Sequence, residues 1–248
     1  MKTVMPNEMD FLESVTHTYV TSASPQDRLI KSLAVRTFAP FVRPTGKTLE
    51  LGCSDGFMTS LIAELAQDLT VVDGSKTFIE TAKARVSSRV SFIHSLFEDF
   101  RSDSGFDHVF ACYVLEHVSD SVAFLQSARS LLSKDGLLFV VVPNARALSR
   151  QLARHMGLIQ DLFALTPNDV NHGHRRVYDR TLLNRDLHAA GLLQVSQGGL
   201  FLKPFADFQM DRLIDIDLVG VPQQEGLYQL GLEYPDLAGS LFSVCRRA

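Results

Sequence analysis

The chain has 248 residues, 46% of them hydrophobic and 21% charged, with a formal charge of −4. That is a globular composition of single-domain size, and its acidic balance argues against the basic stripe of a nucleic-acid binder. Cys53, Cys112 and Cys245 lie far apart with no CxxC pair, which argues against a zinc knuckle or disulfide framework and suits a reducing cytoplasm.

MKTVMPNEMDFLESV lacks the uninterrupted apolar core of a secretory signal, and no apolar run is long enough to span a bilayer, so neither membrane nor nucleic acid is an expected partner. Ser24, Pro25 and Asp27 form a helix-start signature for a helix to Phe38, and 1–45 reads as an N-terminal helical cap. KTLEL (47–51) is a short buried strand, followed by a helix from Phe57. DLTVV (68–72) and a helix from Ser75 come next, then VSFIH (90–94) and HVFACYV (108–114). Val122, Leu125, Ala128 and Leu132 recur at helical spacing, and Asp135-Gly136 turns into the strand LLFVVV (137–142).

Beyond Pro143 the alternation pauses until Tyr178. A helix then starts at the N-cap Asp179 and ends at Gly191, followed by the strand LLQVSQGGLFL. An irregular stretch from Pro204 precedes a last strand, SLFSVCRR. Apolar strands separated by amphipathic helices imply a parallel sheet covered on both faces, hence a doubly wound α/β domain. The boundaries read as one domain, 1–248, with a binding core at 46–143 and substrate-cover insertions at 144–178 and 204–239. Arg175-Arg176 and Arg246-Arg247 read as solvated surface pairs.

A doubly wound sheet binds ligands beyond the carboxyl ends of its strands. Gly52 and Gly56 of ELGCSDGFMTS bracket a tight turn after the first strand, just before Phe57 opens the next helix. Asp73 ends the second strand, where a carboxylate can accept hydrogen bonds from both ribose hydroxyls or cap the next helix. Together the two features point to a ribonucleoside cofactor. A dinucleotide favours three glycines and no acid near its pyrophosphate, whereas Ser54 stands between these glycines and Glu50 is adjacent. An acid there suits a cationic amino group such as the methionyl ammonium of S-adenosylmethionine.

ELGCSDG, VVDGS, SLFEDF and YVLEHVSD resemble the successive motifs of class I S-adenosylmethionine-dependent methyltransferases, especially the small-molecule type that includes the ubiquinone-biosynthesis enzymes. The resemblance runs from Lys47 to Asn144 and again near 171–192. It implies a seven-stranded, mostly parallel sheet with the last strand antiparallel, and methyl transfer to an O, N or C atom of a metabolite, leaving S-adenosylhomocysteine. It further implies that Glu50, Gly52, Cys53, Gly56 and Phe57 line the methionyl part, and that Asp73, Gly74 and Ser75 hold the ribose. Leu96 stands where many members have an acid for the adenine, so Leu96 and Phe97 would supply apolar contacts. Cys112 and Tyr113 would flank the sulfonium, and Tyr19 would reach the methionyl carboxylate. Glu116-His117 matches the family's LEH element, with a helix-start role equally open.

A general base is needed only if the nucleophile keeps its proton until attack. His172 and His174 of NHGHRRVYD are the candidate bases, and Arg175 and Tyr178 the candidate substrate contacts. No acid or cysteine cluster accompanies the H-x-H spacing in the sequence, so no metal is expected. Phe201, Phe205 and Phe208 fit an apolar substrate wall or ordinary core. Three rivals stay open at this point: cofactor binding without methyl transfer, a cyclisation with the same cofactor, and an NAD-dependent oxidoreductase.

Overall fold

The computed structural model describes residues 8–20, 24–86 and 89–248, with side chains from 8 to 16 in the first stretch. Among these residues seven strands form one sheet. β1 (Lys47–Leu51), β2 (Asp68–Asp73), β3 (Ser91–His94), β4 (Phe106–Cys112) and β5 (Leu132–Pro143) run parallel in the order β3-β2-β1-β4-β5. β7 (Ser240–Arg247) is antiparallel to β5, and β6 (Leu192–Leu200) closes the far edge antiparallel to β7. This is the doubly wound architecture implied by the alternating pattern, with the last strand reversed.

Strand periodicity sorts the core into two layers. Val109 and Ala111 of β4, with Leu138, Val140 and Val142 of β5, face a cluster completed by α5 (Ser121–Ser130) and α8 (Arg180–Ala189). Phe110, Phe139 and Val141 face the other side, where α2 (Pro25–Phe38), α3 (Phe57–Leu65) and α4 (Lys76–Arg85) pack. There Phe38 sits between Phe139 at 5.0 Å and Phe242 at 6.0 Å, and Phe110 stacks on Phe139 at 4.5 Å. Buried aromatic groups of this size contribute about 0.5–1.5 kcal/mol per favourable pair beyond their burial.

The helix signals hold at three ends. Ser24 caps α2, with Asp27 N–H donating to its hydroxyl; Asp179 caps α8 through Leu182 N–H; and Gly191, at φ +71°, follows the C-terminus of α8. Several boundaries shift, two of them for a clear reason. The helical spacing carried through Leu132 fails because α5 stops at Ser130, and Leu132 opens β5 by pairing with Phe106. The fourth strand stops at Cys112, since Tyr113 adopts φ 58° and leaves the extended backbone.

α1 (Glu8–Val20) packs on α4. The pause from 144 to 178 contains α6 (Leu148–His155) and α7 (Pro167–Asn171), and the stretch after Pro204 folds as α9 (Asp207–Asp215) and α10 (Val221–Glu233). Met210 of α9 and Tyr228 of α10 are buried with the α2 layer, so the second insertion contributes to the core. No described helix is long and apolar enough to cross a membrane.

Candidate active site

The loop after β1 turns through three left-handed residues, Gly52 (φ +86°), Ser54 (φ 46°) and Gly56 (φ +78°). At Gly56 the lack of a side chain is also steric, because an added Cβ would stand 2.5 Å from Ala82 Cα of α4. Gly56 therefore sets both the turn and the approach of α3 to α4. α3 begins at Phe57 with no side-chain cap from Gly56.

Glu50 and Asp73 stand at the ends of neighbouring strands. Glu50 is 2% exposed, and its Oε2 has no hydrogen-bond partner among the described residues. Burial pushes its carboxyl up to about 8, with the nearby Asp73 charge adding to the effect against relief from Thr59 and Lys31. Asp73 accepts the backbone N–H of Cys53 on Oδ2 and of Ser75 on Oδ1, both at 2.8 Å. It thus ties the loops after β1 and β2 together. It does not cap the next helix, because Ser75 does so by accepting Phe78 N–H. Burial raises the Asp73 carboxyl, which those two donors partly offset, and burial beside Asp73 pushes the Cys53 thiol far up. A carboxylate has about four acceptor sites, so Asp73 keeps capacity for further donors.

α1 lies across this end of the site. An added Cβ on Gly74 would meet Leu12 Cδ1 at 2.6 Å and Leu96 Cδ2 at 3.1 Å. Glu13 Oε1 accepts Lys76 N–H at 2.6 Å and Ser75 Oγ at 3.1 Å. A surface hollow of about 440 Å³ is lined by Glu13, Lys76, Thr77, Glu80 and Thr81 on the outer side of this contact. Phe97 packs edge-on against Phe124 at 5.4 Å. The side chain of Tyr19 lies outside the described residues.

The end of β4 brings in a second acidic group. Burial raises the Cys112 thiol, helped first by the charge of Glu50 and then by that of Glu116. The Tyr113 hydroxyl pairs with Ser240 Oγ at 3.1 Å. Glu116 is 1% exposed, its Oε2 lacks a partner among the described residues, and burial pushes it up to about 7 against the opposing influence of His174. One polar atom each of Glu116, His117 and His174 lie within 4.8 Å of one another. The two imidazole rings meet edge-on at 4.8 Å, and His174 Nδ1 stands 3.3 Å from Asp169 Oδ1. Burial alone would raise Asp169, but His174, Thr166 and Arg150 reverse this and hold it well below the usual carboxylate range. Burial lowers His117 to about 3, so its ring is neutral near pH 7.

The remaining candidates divide. His174 joins this cluster, whereas His172 places Nδ1 2.8 Å from Asn168 O, with its ring 6.3 Å from that of His174. The Arg175 guanidinium pairs with Glu8 at 2.8 Å and lies over the Phe11 ring, so α1 engages it. Tyr178 is 1% exposed and donates its hydroxyl to Asp186, which corrects its assignment as a substrate contact: the ring belongs to the core. Arg176 is no solvated partner of Arg175, because its guanidinium donates to the carbonyls of Leu115, Val118 and Ser119 and holds the Glu116 loop. Glu116 and His117 do not start α5, whose N-cap is Asp120. Phe201 is buried, while Phe205 and Phe208 are exposed, so the three form no common wall. Asp169 is the residue of this cluster that no motif singles out, although Thr166-x-x-Asp169 is a legible capping box.

A family model described as a methyltransferase domain matches residues 24–197. The ubiquinone biosynthesis O-methyltransferase of Rhodopseudomonas palustris (strain HaA2) is 26% identical over 164 residues, 65% of this chain and 64% of that protein. The mitochondrial ubiquinone biosynthesis O-methyltransferase of Schizosaccharomyces pombe is 32% identical over 120 residues, 44% of each chain. The chain thus spans about half the length of such curated relatives. The N-methyltransferase NodS from Bradyrhizobium japonicum WM9, solved with S-adenosyl-L-homocysteine, shares the fold: TM-score 0.58, 14% identity, 95% of this chain and 97% of that one covered. The chain therefore belongs to the methyltransferase domain family, and its fold is the one shared by solved methyltransferases, as its motifs implied.

Proposed function

We propose that this protein transfers a methyl group from S-adenosylmethionine to an O, N or C atom of a small molecule. The observation that carries the reading is Glu50: a buried carboxylate with an oxygen lacking a partner among the described residues, one strand from Asp73. Leaving such a group unpaired costs several kcal/mol, on the order of 3–5 for a broken buried pair. A ligand ammonium beside Glu50 relieves that cost, and a diol satisfies the remaining acceptor sites of Asp73. A pyrophosphate would add negative charge beside Glu50. The donor set therefore fits the sulfonium nucleoside.

In this assignment Glu50, Gly52, Cys53, Gly56 and Phe57 hold the methionyl end. Asp73, Gly74 and Ser75 hold the ribose, Leu96 and Phe97 the adenine, and Cys112 and Tyr113 border the reacting carbon, with Tyr19 contributed by α1. The bound cofactor supplies an electrophilic methyl carbon on a positively charged sulfur. The protein's share is to align the nucleophile and exclude water, a contribution of roughly 7–11 kcal/mol in favourable cases. Net charge −4 and free cysteines favour a small-molecule acceptor in a reducing, cytoplasmic setting. The names of the relatives in ubiquinone biosynthesis support an acceptor drawn from small-molecule metabolism.

Calorimetry with S-adenosylmethionine, S-adenosylhomocysteine and NAD tests the cofactor pocket. The first two bind and NAD does not. Asp73→Ala loses at least tenfold in affinity, and undiminished affinity in that variant refutes the pocket. Detection of a methylated product in a metabolite extract tests the transfer itself.

A further inference from the structure

The two cover insertions leave apolar surface uncovered. α6 has no fully buried side chain, and Leu152 and Met156, one turn apart on the same face, are exposed together with Leu158 beyond its end. Polar contacts hold this short helix in place. Arg150 donates to the carbonyls of Leu162 and Ala164 and pairs with Asp169, and Ser149 N–H donates to Lys203 O at 3.1 Å. The stretch opened by α9 repeats the pattern. Met210 anchors it in the core, while Phe208, Ile216, Leu218 and Val221 are 63% to 77% exposed. Side chains of this size left in water along one element mark a contact surface.

The two stretches carry opposite charge. Residues 146–158 contain Arg146, Arg150, Arg154 and His155 and no acid, whereas 207–221 contain Asp207, Asp211, Asp215 and Asp217 against the single base Arg212. Arg150, Asp207 and Asp211 have partners. Among the described residues, Arg146, Arg154, Asp215 and Asp217 make no side-chain hydrogen bond or ion pair. The stretches are neighbours, because Ser149 reaches Lys203 and Lys203 pairs with Asp207. Yet no side-chain hydrogen bond or ion pair among the described residues joins α6 to α9, so the two do not neutralise each other within one chain.

We propose that these stretches form an interface between two copies of this chain, the basic α6 stretch of each copy seated on the acidic α9 stretch of the other. A surface with a basic apolar half beside an acidic apolar half is complementary to itself after a two-fold rotation, and the same contact then forms twice. The apolar side chains supply the affinity, and the charges set the register and disfavour α6 against α6. Those charges also select the occupant. An anionic lipid surface would attract the arginines and repel the aspartates beside them, and a partner of one charge sign would satisfy one half only.

Sedimentation velocity of the full chain tests the interface. The parent is expected to be a dimer at about 100 µM, its association weakened about tenfold as salt rises from about 0.05 M to about 0.5 M. Arg146→Glu with Arg154→Glu leaves both halves acidic, and Asp215→Lys with Asp217→Lys leaves both basic. Each double variant alone is expected to be monomeric, with self-association weakened about 100-fold or more because like charges meet twice. An equimolar mixture of the two is expected to dimerise, since every altered half then meets its opposite. Both are expected to melt within about 3 °C of the parent, as none of the replaced side chains has a partner to lose. If either fails to fold, hydrogen exchange of the parent decides: protection at 148–158 and 207–221 rises with protein concentration, and concentration-independent exchange there overturns the interface. A parent that stays monomeric overturns it too, including one that sediments with vesicles of equimolar phosphatidylcholine and phosphatidylglycerol, which would give this face to lipid. Variants that dimerise alone, or a mixture that stays monomeric, overturn the pairing of the two halves.

Discussion

Gly56→Ala isolates the steric demand of the turn that shapes the site. Its φ of +78° is left-handed, which costs an alanine roughly 1–2 kcal/mol, less about 0.4–1 kcal/mol regained by restricting the unfolded chain. The added Cβ also falls 2.5 Å from Ala82 Cα, a backbone atom that cannot rotate away. Overpacking of this kind costs about 1–3 kcal/mol, so a total of about 2–4 kcal/mol is expected. At about 2–4 °C per kcal/mol for a chain of this size, the melting temperature falls by about 4–16 °C. Gly157→Ala is the control, because Gly157 has nearly the same φ (+75°) with nothing within 4 Å of an added Cβ. It is expected to lose no more than about 1–2 kcal/mol, the backbone cost alone. Thermal scans of both variants under one condition make the comparison, with S-adenosylhomocysteine calorimetry reporting on the displaced α3–α4 pair. Melting temperatures within about 2 °C of each other refute the steric argument.

Glu50→Gln is expected to remove a pH dependence. Between the ordinary carboxyl value of 4.5 and about 8, the unfolded chain is ionised while the folded protein keeps the Glu50 proton, so stability falls as pH rises across that window. The variant should melt level with the parent near pH 5 and above it at pH 8, while losing about tenfold in cofactor affinity, about 1.4 kcal/mol. A variant less stable than the parent at pH 8 contradicts this account of Glu50. Tyr178→Phe removes one of the donors to Asp186 and leaves Ser121 in place. A loss of about 1 kcal/mol in stability, measured by urea unfolding, with unchanged turnover of the methyl acceptor found in the metabolite extract is expected; a loss of turnover at full stability would return Tyr178 to the substrate site. Arg176→Lys cannot span three carbonyls with one ammonium. It should cost about 1–3 kcal/mol and speed hydrogen exchange around 115–119, and unchanged exchange there argues against its role as the loop's anchor.

Much of this molecule was legible in its residues because the signals act over a few positions. Apolar strands such as LLFVVV, helical spacing, and the caps Ser24, Asp179 and Gly191 each express a local preference that the fold does not oppose. The glycine turn was equally readable, since left-handed backbone selects Gly52 and Gly56 directly. The spread of the acids was legible too: a strand ends where its apolar run ends, so Glu50 and Asp73 had to emerge at the sheet's carboxyl edge.

Other features depended on which loops the crossovers bring together, and no local pattern encodes that. Tyr178 sits in a loop without periodicity, so nothing in its neighbours announced that it faces Asp186 and the core. Arg175 and Glu8 meet across 167 positions of chain. Glu116 and His117 are visible as a motif and His174 as a candidate base in an H-x-H pair, but no local spacing says that the three meet. The acids are present, one in the loop after β4 and one in a capping box. The tertiary structure brings them to one place by hydrogen bonds between the two loops, Arg175 N–H to the Glu116 carbonyl and the Arg176 guanidinium to the carbonyls of Leu115, Val118 and Ser119.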